Sequence, residues 1–141
     1  SGRRVYVANR RSGTVSVVDA ETNAVVATVP LGVFGAAGIA VNPQGTRLYV
    51  SNQYADSVSV VDTINNVLVA SVDVGQAPTG LSVTPDGTRL FVANPFSNSV
   101  SVIDTAGNAV IAEVPVSGTP IALGTFIEPA APALFANSLE F

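Results

Sequence analysis

The chain has 141 residues, enough for one ordinary domain, of which 48% are hydrophobic and only 11% charged, with a net charge of −4. It contains no Cys, His or Lys, which excludes disulfides, thiolate or imidazole metal sites, Schiff-base chemistry and an ordinary Ser-His-Asp triad. The acidic balance argues against broad electrostatic binding to nucleic acid, and no apolar run has the roughly 18 to 20 residues of a membrane span.

After Ser1-Gly2, which we interpret as a remnant of cloning or processing, the chain begins with three predicted strands at residues 5–9, 14–19 and 24–29. They read VYVAN, TVSVVD and AVVATV, and short runs rich in Val and Thr are typical of β-strands. Asp19 ends the second strand, where its side chain is expected to bond backbone amides and hold a hairpin.

The same three blocks return twice, each time with a further strand in front of them. The aromatic residues Tyr6, Tyr49 and Phe91 are 43 and then 42 positions apart. The segments NPQGT and TPDGT, with Pro and Gly at turn positions, predict a tight hairpin before the aromatic block. The second set of strands is predicted at residues 38–42, 48–52, 57–62 and 67–72, and the third at 80–84, 90–94, 99–104 and 109–114.

Four short antiparallel strands in about 42 residues are typical of a β-propeller blade, so we predict an all-β fold with about three blades. Stacked blades bury both faces of their sheets, which explains the many apolar and few charged residues. The repeats divide the chain at residues 3–45, 46–87 and 88–129, followed by a Pro/Ala-rich tail at 130–141.

The segments YVAN, YVSN and FVAN, each followed by a block such as SVSVVD, resemble the YVTN β-propeller repeat family. The resemblance covers about residues 3–129 and includes the hairpin PDGTRL. It implies a closed ring, usually of about seven blades, and an extracytoplasmic location in a bacterium or archaeon. A lone strand predicted at residues 119–126 is similar to the strand that completes the first blade of such rings.

Three blades cannot close this ring, because propellers typically have about four to eight blades. The first repeat also lacks its innermost strand. We expect two chains to form a six-bladed ring in which each final strand completes the other chain's first blade. Three chains with nine blades, or further blades in a longer precursor, are the alternatives.

Candidate binding residues lie in the loops between the second and third strands of each blade, which differ from repeat to repeat. The loop that precedes each innermost strand should emerge on the same rim. Arg and aromatic side chains are favoured at binding hot spots. The candidates are Arg10, Arg11, Phe34, Gln53, Tyr54 and Phe96, with Gln76 and Thr119 on the same rim.

Other recurrent polar residues are interpreted as structural. Asn9, Asn52 and Asn94 follow the aromatic blocks and should bond loop backbone, as Asp19 and its repeats do. Arg47 and Arg89 should cover a blade surface or pair with an acid. No acidic segment matches a calcium loop, and the sequence predicts no catalytic residue, metal site or cofactor.

We therefore expect a non-enzymatic secreted or cell-surface binding scaffold with a protein or carbohydrate ligand. One alternative is an enzyme or cofactor-binding redox partner with a composite site at the ring axis. A second alternative is nucleic-acid binding through Arg3, Arg4, Arg10 and Arg11, which are close in sequence.

Overall fold

The computed structural model describes residues 3–122, 124 and 126–128. This part of the chain contains strands and a single 3₁₀ turn at Pro95–Ser97, and no helix in it is long and apolar enough to cross a membrane. The strands are β1 Arg4–Asn9, β2 Thr14–Asp19, β3 Ala24–Pro30, β4 Ala36–Val41, β5 Arg47–Asn52, β6 Ser57–Asp62, β7 Val67–Asp73, β8 Leu81–Val83, β9 Arg89–Asn94, β10 Ser99–Asp104 and β11 Ala109–Pro115.

The strands form three antiparallel sheets in the predicted order. Blade 1 is the three-stranded sheet β1-β2-β3, blade 2 is β4-β5-β6-β7 and blade 3 is β8-β9-β10-β11. In every blade the last pairing contains a β-bulge at the same place, after Val17, Val60 and Val102. The all-β propeller architecture with about three blades per chain is confirmed.

The segment after β11 differs from the prediction of a lone strand at residues 119–126. Its described residues form no strand, and residues 123 and 125 lie outside the described part. Phe126 nevertheless donates its backbone N–H to the Ser82 hydroxyl over 3.0 Å, so Phe126 lies beside β8. Pro120, one residue before Ile121, cannot donate a ladder hydrogen bond, which accounts for part of the irregularity.

Blade 2 is packed on both faces because its strands alternate between two hydrophobic cores. Leu48, Val50 and Val61 join the core with blade 1, which includes Val15 and Val17. The opposite face carries Tyr49, Val58, Val60 and Val72, which pack on blade 3 residues Leu81, Leu90, Val92 and Ile103. A Val fully buried in this way contributes about 1.5–3 kcal/mol relative to an exposed one.

The hairpin chemistry is largely as predicted. Asp19 accepts backbone N–H groups of Glu21 and Thr22, and Asp62 accepts those of Ile64 and Asn65. These bonds favour the charged carboxylate, so the pKa of Asp19 is lowered chiefly by the bond from Thr22. Each hairpin is completed by an Asn at positive φ, namely Asn23, Asn66 and Asn108.

The predicted acid partners of Arg47 and Arg89 are present. Nη1 of Arg47 lies 3.7 Å from Oδ1 of Asp62, and Nη1 of Arg89 lies 3.2 Å from Oδ1 of Asp104. Each pair joins two neighbouring strands of one blade. Arg4 faces Asp19 in the same register of blade 1. Both ion pairs are partly exposed, so each contributes little to stability.

The recurrent asparagines correct one expectation, because they bond side chains of the neighbouring strand rather than loop backbone. Asn52 donates to the hydroxyls of Ser57 and Ser59 on β6. Asn9 and Asn94 make the corresponding pairs in their own blades. The repeated polar motif therefore ties the second strand of each blade to the third.

Candidate functional site

The predicted rim is assembled from loops of successive blades. The β1–β2, β5–β6 and β9–β10 loops lie at one end of the blades, together with the connections that lead into β4 and β8. Backbone hydrogen bonds join these loops. The Gly35 N–H donates to the Arg10 carbonyl over 2.9 Å, and the Gln53 N–H donates to the Gly35 carbonyl over 2.8 Å. The rim therefore has a defined shape, although its loops come from different repeats.

Arg10 of blade 1 contacts two residues of blade 2. Its guanidinium donates to the Tyr54 hydroxyl over 2.9 Å through Nη2 and 3.2 Å through Nε, and also to Oε1 of Gln53. The Arg10 Cζ atom lies 5.0 Å from the centroid of the Tyr54 ring. The pair is solvent-exposed, so the cation–π contact is worth about 0.5–1 kcal/mol, and its main effect is to fix the orientation of Tyr54.

An open groove of about 420 Å³ runs from Tyr54 of blade 2 to Phe96 of blade 3. Both aromatic side chains are exposed, by 68% for Tyr54 and 73% for Phe96. Gln76 and Ala77, which lie in the loop between β7 and β8, line the groove between the two rings. Gln53 and Asp56 also line it. Two apolar rings surrounded by amide and carboxylate groups make this an amphipathic surface.

The backbone of the groove is held by both neighbouring blades. Asp56 accepts the Ala77 N–H over 2.8 Å, and the Ser97 hydroxyl accepts the Gln76 N–H over 2.6 Å. Ala77 has φ +55, an unfavourable conformation for alanine that these contacts maintain. Asp56 and Ala77 are not among the candidates predicted from the sequence. Asp56 occupies the same repeat position as Gly13 and Asn98, and Gly and Asn are the residues that most often adopt positive φ. This position could therefore have indicated the turn, and all three residues do have positive φ.

Phe34 and Arg11 lie on the same rim outside this groove. Phe34 is exposed and its ring borders Gly13 of the β1–β2 loop, while the following residue, Gly35, lies directly against the Tyr54 ring. A Cβ on Gly35 would be 2.8 Å from that ring, so glycine allows Tyr54 to approach. Arg11 is exposed in the β1–β2 loop. The structure thus brings Arg10, Gln53, Tyr54 and Phe96 together, with Phe34 at their border.

The four arginines of the first repeat do not form one basic patch. Arg4 begins β1, whereas Arg10 follows its last residue, Asn9. A strand of this length separates its ends by about 20 Å. Arg3 and Arg4 therefore lie on the rim opposite to Arg10 and Arg11, and the arrangement lacks the continuous basic surface that nucleic-acid binding would use.

A second groove, of about 460 Å³, lies along the inner strands. Its lining includes the small residues Gly38, Gly80 and Ala122, together with Arg10 and Gln53. Among the described residues, no three His, Cys, Asp or Glu side chains come together in a way that could hold a metal ion.

Comparisons with known proteins extend these observations. The family described as "Lactonase, 7-bladed beta-propeller" matches residues 1–109. Among solved structures, Kuenenia stuttgartiensis hydrazine synthase is similar with a TM-score of 0.79 and 32% identity, over 82% of this chain and 33% of that one. A comparison with curated protein sequences gives no match.

Two further structures share the fold. Dihydro-heme d1 dehydrogenase NirN in complex with DHE has a TM-score of 0.71 at 21% identity, over 80% of this chain and 24% of that one. Apo AztD from Citrobacter koseri has a TM-score of 0.72 at 17% identity, over 86% and 34%. The chain therefore spans about a third or less of the length of these structures.

Proposed function

The chain belongs to the lactonase seven-bladed β-propeller family, and we propose that it serves as a propeller scaffold whose rim binds a protein ligand without catalysing a reaction. The groove between Tyr54 and Phe96 is the observation that supports this proposal. It presents two exposed aromatic side chains on loops whose backbone is fixed by neighbouring blades.

The composition of the groove suits a protein partner. Tyr and Arg are enriched at binding hot spots, and aromatic side chains supply a large contact area for little conformational entropy. Arg10 holds Tyr54 in place before any ligand arrives, which reduces the entropy lost on binding. Gln53, Gln76 and Asp56 offer hydrogen bonds at the border of the apolar surface. An oligosaccharide could use the same rings and amides, and is the competing ligand class.

A peptide library displayed on phage, selected on the immobilised 141-residue chain, tests the proposal. We expect enriched peptides to lose at least tenfold in affinity against Tyr54→Ala and Phe96→Ala. Ile64→Ala is the matched control, because Ile64 is 73% exposed like Phe96 but lies in the β6–β7 hairpin at the other end of the blade.

Three outcomes decide the result. Peptides sensitive to the two aromatic variants and insensitive to Ile64→Ala support a protein-binding rim. Binding to an array of defined oligosaccharides with the same sensitivity, and no peptide enrichment, identifies a carbohydrate ligand instead. Binding that is unchanged by Tyr54→Ala and Phe96→Ala, or no binding in either assay, contradicts the rim site.

An extracytoplasmic location forms part of the proposal and rests on the resemblance to YVTN-repeat propellers. Fractionation of the source cells, with an antibody to the purified chain, should find the protein in the periplasm, on the cell surface or in the medium. Recovery with the cytoplasmic fraction would contradict this location.

The second candidate is an enzyme or cofactor-binding partner with a composite site at the ring axis. The axial groove beside Gly38, Gly80 and Ala122 favours it, together with the family description and the 32% identity to a hydrazine synthase. Two measurements test this candidate. One is hydrolysis of δ-valerolactone, measured by the protons that are released, and the other is an absorbance spectrum of the purified protein. If the protein shows no hydrolysis above background and no cofactor band, this candidate has no support.

A further inference from the structure

The rim is built differently at the junction of blades 1 and 2 and at the junction of blades 2 and 3. At the first junction the Tyr54 ring lies against Gly35, which has no Cβ to obstruct it. Ala77 occupies the repeat position of Gly35 at the second junction, and both residues have positive φ. Because Ala77 carries a Cβ, Phe96, the counterpart of Tyr54, cannot approach this junction in the same way.

The local sequence of blade 3 also keeps Phe96 away from the junction. Pro95 stands where blade 2 has Gln53, and proline has no N–H, so the backbone bond from Gln53 to Gly35 has no counterpart here. The loop forms the 3₁₀ turn Pro95–Ser97 instead. The groove of about 420 Å³ is therefore a consequence of two changed repeat positions, and it lies between two four-stranded blades.

Arg10 determines which polar atoms of the groove remain for a ligand. Its guanidinium donates twice to the hydroxyl oxygen of Tyr54 and once to Oε1 of Gln53. These contacts occupy acceptor atoms of both side chains. The hydroxyl proton of Tyr54 and the amide protons of Gln53 bond no acceptor among the described residues and are left to donate. The groove thus presents hydrogen-bond donors beside an aromatic ring.

Asp56 adds a negative charge to the same groove. Its Oδ1 atom accepts the Ala77 N–H over 2.8 Å, which holds the side chain in place. Neither of the two ion pairs among the described residues includes Asp56. An exposed carboxylate with no cationic partner of its own favours a ligand that carries a positive charge.

We propose that this groove binds a proline-rich segment of a partner protein, in the polyproline II conformation and with a basic residue next to the prolines. The inference rests on the proposed rim function and names the chemistry of its ligand. Proline offers a carbonyl acceptor and no N–H, which matches the donors of Tyr54 and Gln53. Its ring packs on Tyr54 and Phe96, since grooves lined by aromatic side chains recognise such preformed segments at a low cost in entropy. The basic residue pairs with Asp56.

Fluorescence anisotropy of labelled peptides on the 141-residue chain tests the proposal. The probe is a peptide of ten prolines followed by two arginines, and in the matched peptide Gly and Ser replace the prolines. We expect the proline peptide to bind about tenfold or more tightly than the Gly-Ser peptide, and to lose about tenfold or more against Phe96→Ala. Tyr54→Phe, which keeps the ring and removes the donor, should weaken it about two- to tenfold. Ile64→Ala should leave it unchanged.

Asp56→Asn tests the basic residue separately from the fold of the loop. Asn keeps the oxygen that accepts the Ala77 N–H, and Asn98 has positive φ at the same repeat position. We expect Asp56→Asn to weaken the arginine-bearing probe about two- to fivefold and to leave binding of decaproline unchanged. Equal weakening of both peptides overturns the pairing with a basic residue.

No binding of the proline peptide, equal binding of the Gly-Ser peptide, or binding unchanged by Phe96→Ala overturns the proline-rich ligand. The comparison of the two peptides on the unsubstituted chain decides the question even where a variant fails to fold. Phage-selected peptides that need Tyr54 and Phe96 but contain no proline overturn this inference and leave the proposed rim site standing. If no peptide or oligosaccharide depends on the two rings, both proposals fail.

Discussion

The side-chain amide of Asn52 donates a hydrogen bond of 2.8 Å to the hydroxyl of Ser59 on the neighbouring strand. The pairs Asn9–Ser16 and Asn94–Ser101 have the same length in the other two blades. The geometry of the blade thus repeats at the level of a single polar contact. The surroundings differ, however, because Asn52 is fully buried between blades and Asn9 lies on an outer face.

Asn52→Ala should destabilise the protein by about 1–3 kcal/mol, because the hydroxyls of Ser57 and Ser59 lose their buried donor. Oδ1 of Asn52 accepts no hydrogen bond from the described residues, so the contribution comes from the two donated bonds. Asn9→Ala should cost less, since water can replace its amide. Urea unfolding at equilibrium measures both, and a larger loss for Asn9→Ala would contradict the prediction.

Gly38→Ala should destabilise by about 1–3 kcal/mol through overpacking at the axis. Its Cβ would lie 2.1 Å from the backbone carbonyl of Thr79, which can move only if the inner strands separate. Gly107→Ala serves as the control, because its Cβ would meet only the Asp104 carboxylate at 3.4 Å. Thermal unfolding followed by circular dichroism compares the two, and equal midpoints would count against close packing at the axis.

Ser51→Ala should weaken the junction between blades 2 and 3. The buried hydroxyl of Ser51 accepts the Gly38 N–H over 2.8 Å and donates to the Thr79 carbonyl. We expect a loss of about 1–3 kcal/mol, because both backbone groups lose a partner. Urea midpoints measure the effect. Stability within 0.5 kcal/mol, roughly the scatter of a neutral surface substitution, would show that these backbone groups find other partners.

Asp86 should contribute to stability in a pH-dependent way. Hydrogen bonds from the Thr84 hydroxyl, then from the backbone and hydroxyl of Thr88, lower the pKa of Asp86 from 3.8 to about 2. A carboxyl whose pKa is lowered by folding stabilises the protein above its unfolded pKa, and this contribution is lost as the pH falls through about 2. The free energy of unfolding of the unsubstituted protein should therefore be higher than that of Asp86→Asn, and this difference should be larger at pH 5 than at pH 2.

Urea midpoints of both proteins at the two pH values provide the measurement. Gln44 occupies the same hairpin position in blade 2 and does not ionise, so Gln44→Ala should give a difference that is independent of pH. An Asp86→Asn difference that is equally independent of pH would contradict the role of the charged carboxylate.

Local features of the site were predictable from the sequence, and contacts between repeats were not. The repeat positions of Tyr54 and Phe96 placed them on one rim, because equivalent residues of successive blades emerge at the same end. Nothing in the local sequence indicated that Arg10 reaches the Tyr54 hydroxyl, since 44 residues separate them. The close sequence of Arg4 and Arg10 was misleading for the same reason: an intervening strand directs them to opposite rims.

The sequence by itself determined the strands of the three blades, their order and the number of blades, because short Val-rich blocks and Pro-Gly turns act locally and return with a fixed period. The strand predicted at residues 119–126 lies outside these repeated blocks and is not formed by its described residues. Only the tertiary structure decided which faces are buried. Val92 and Val7 stand at the same place in the repeat, yet one is fully buried and the other is exposed, because burial depends on a neighbouring blade rather than on the residue itself.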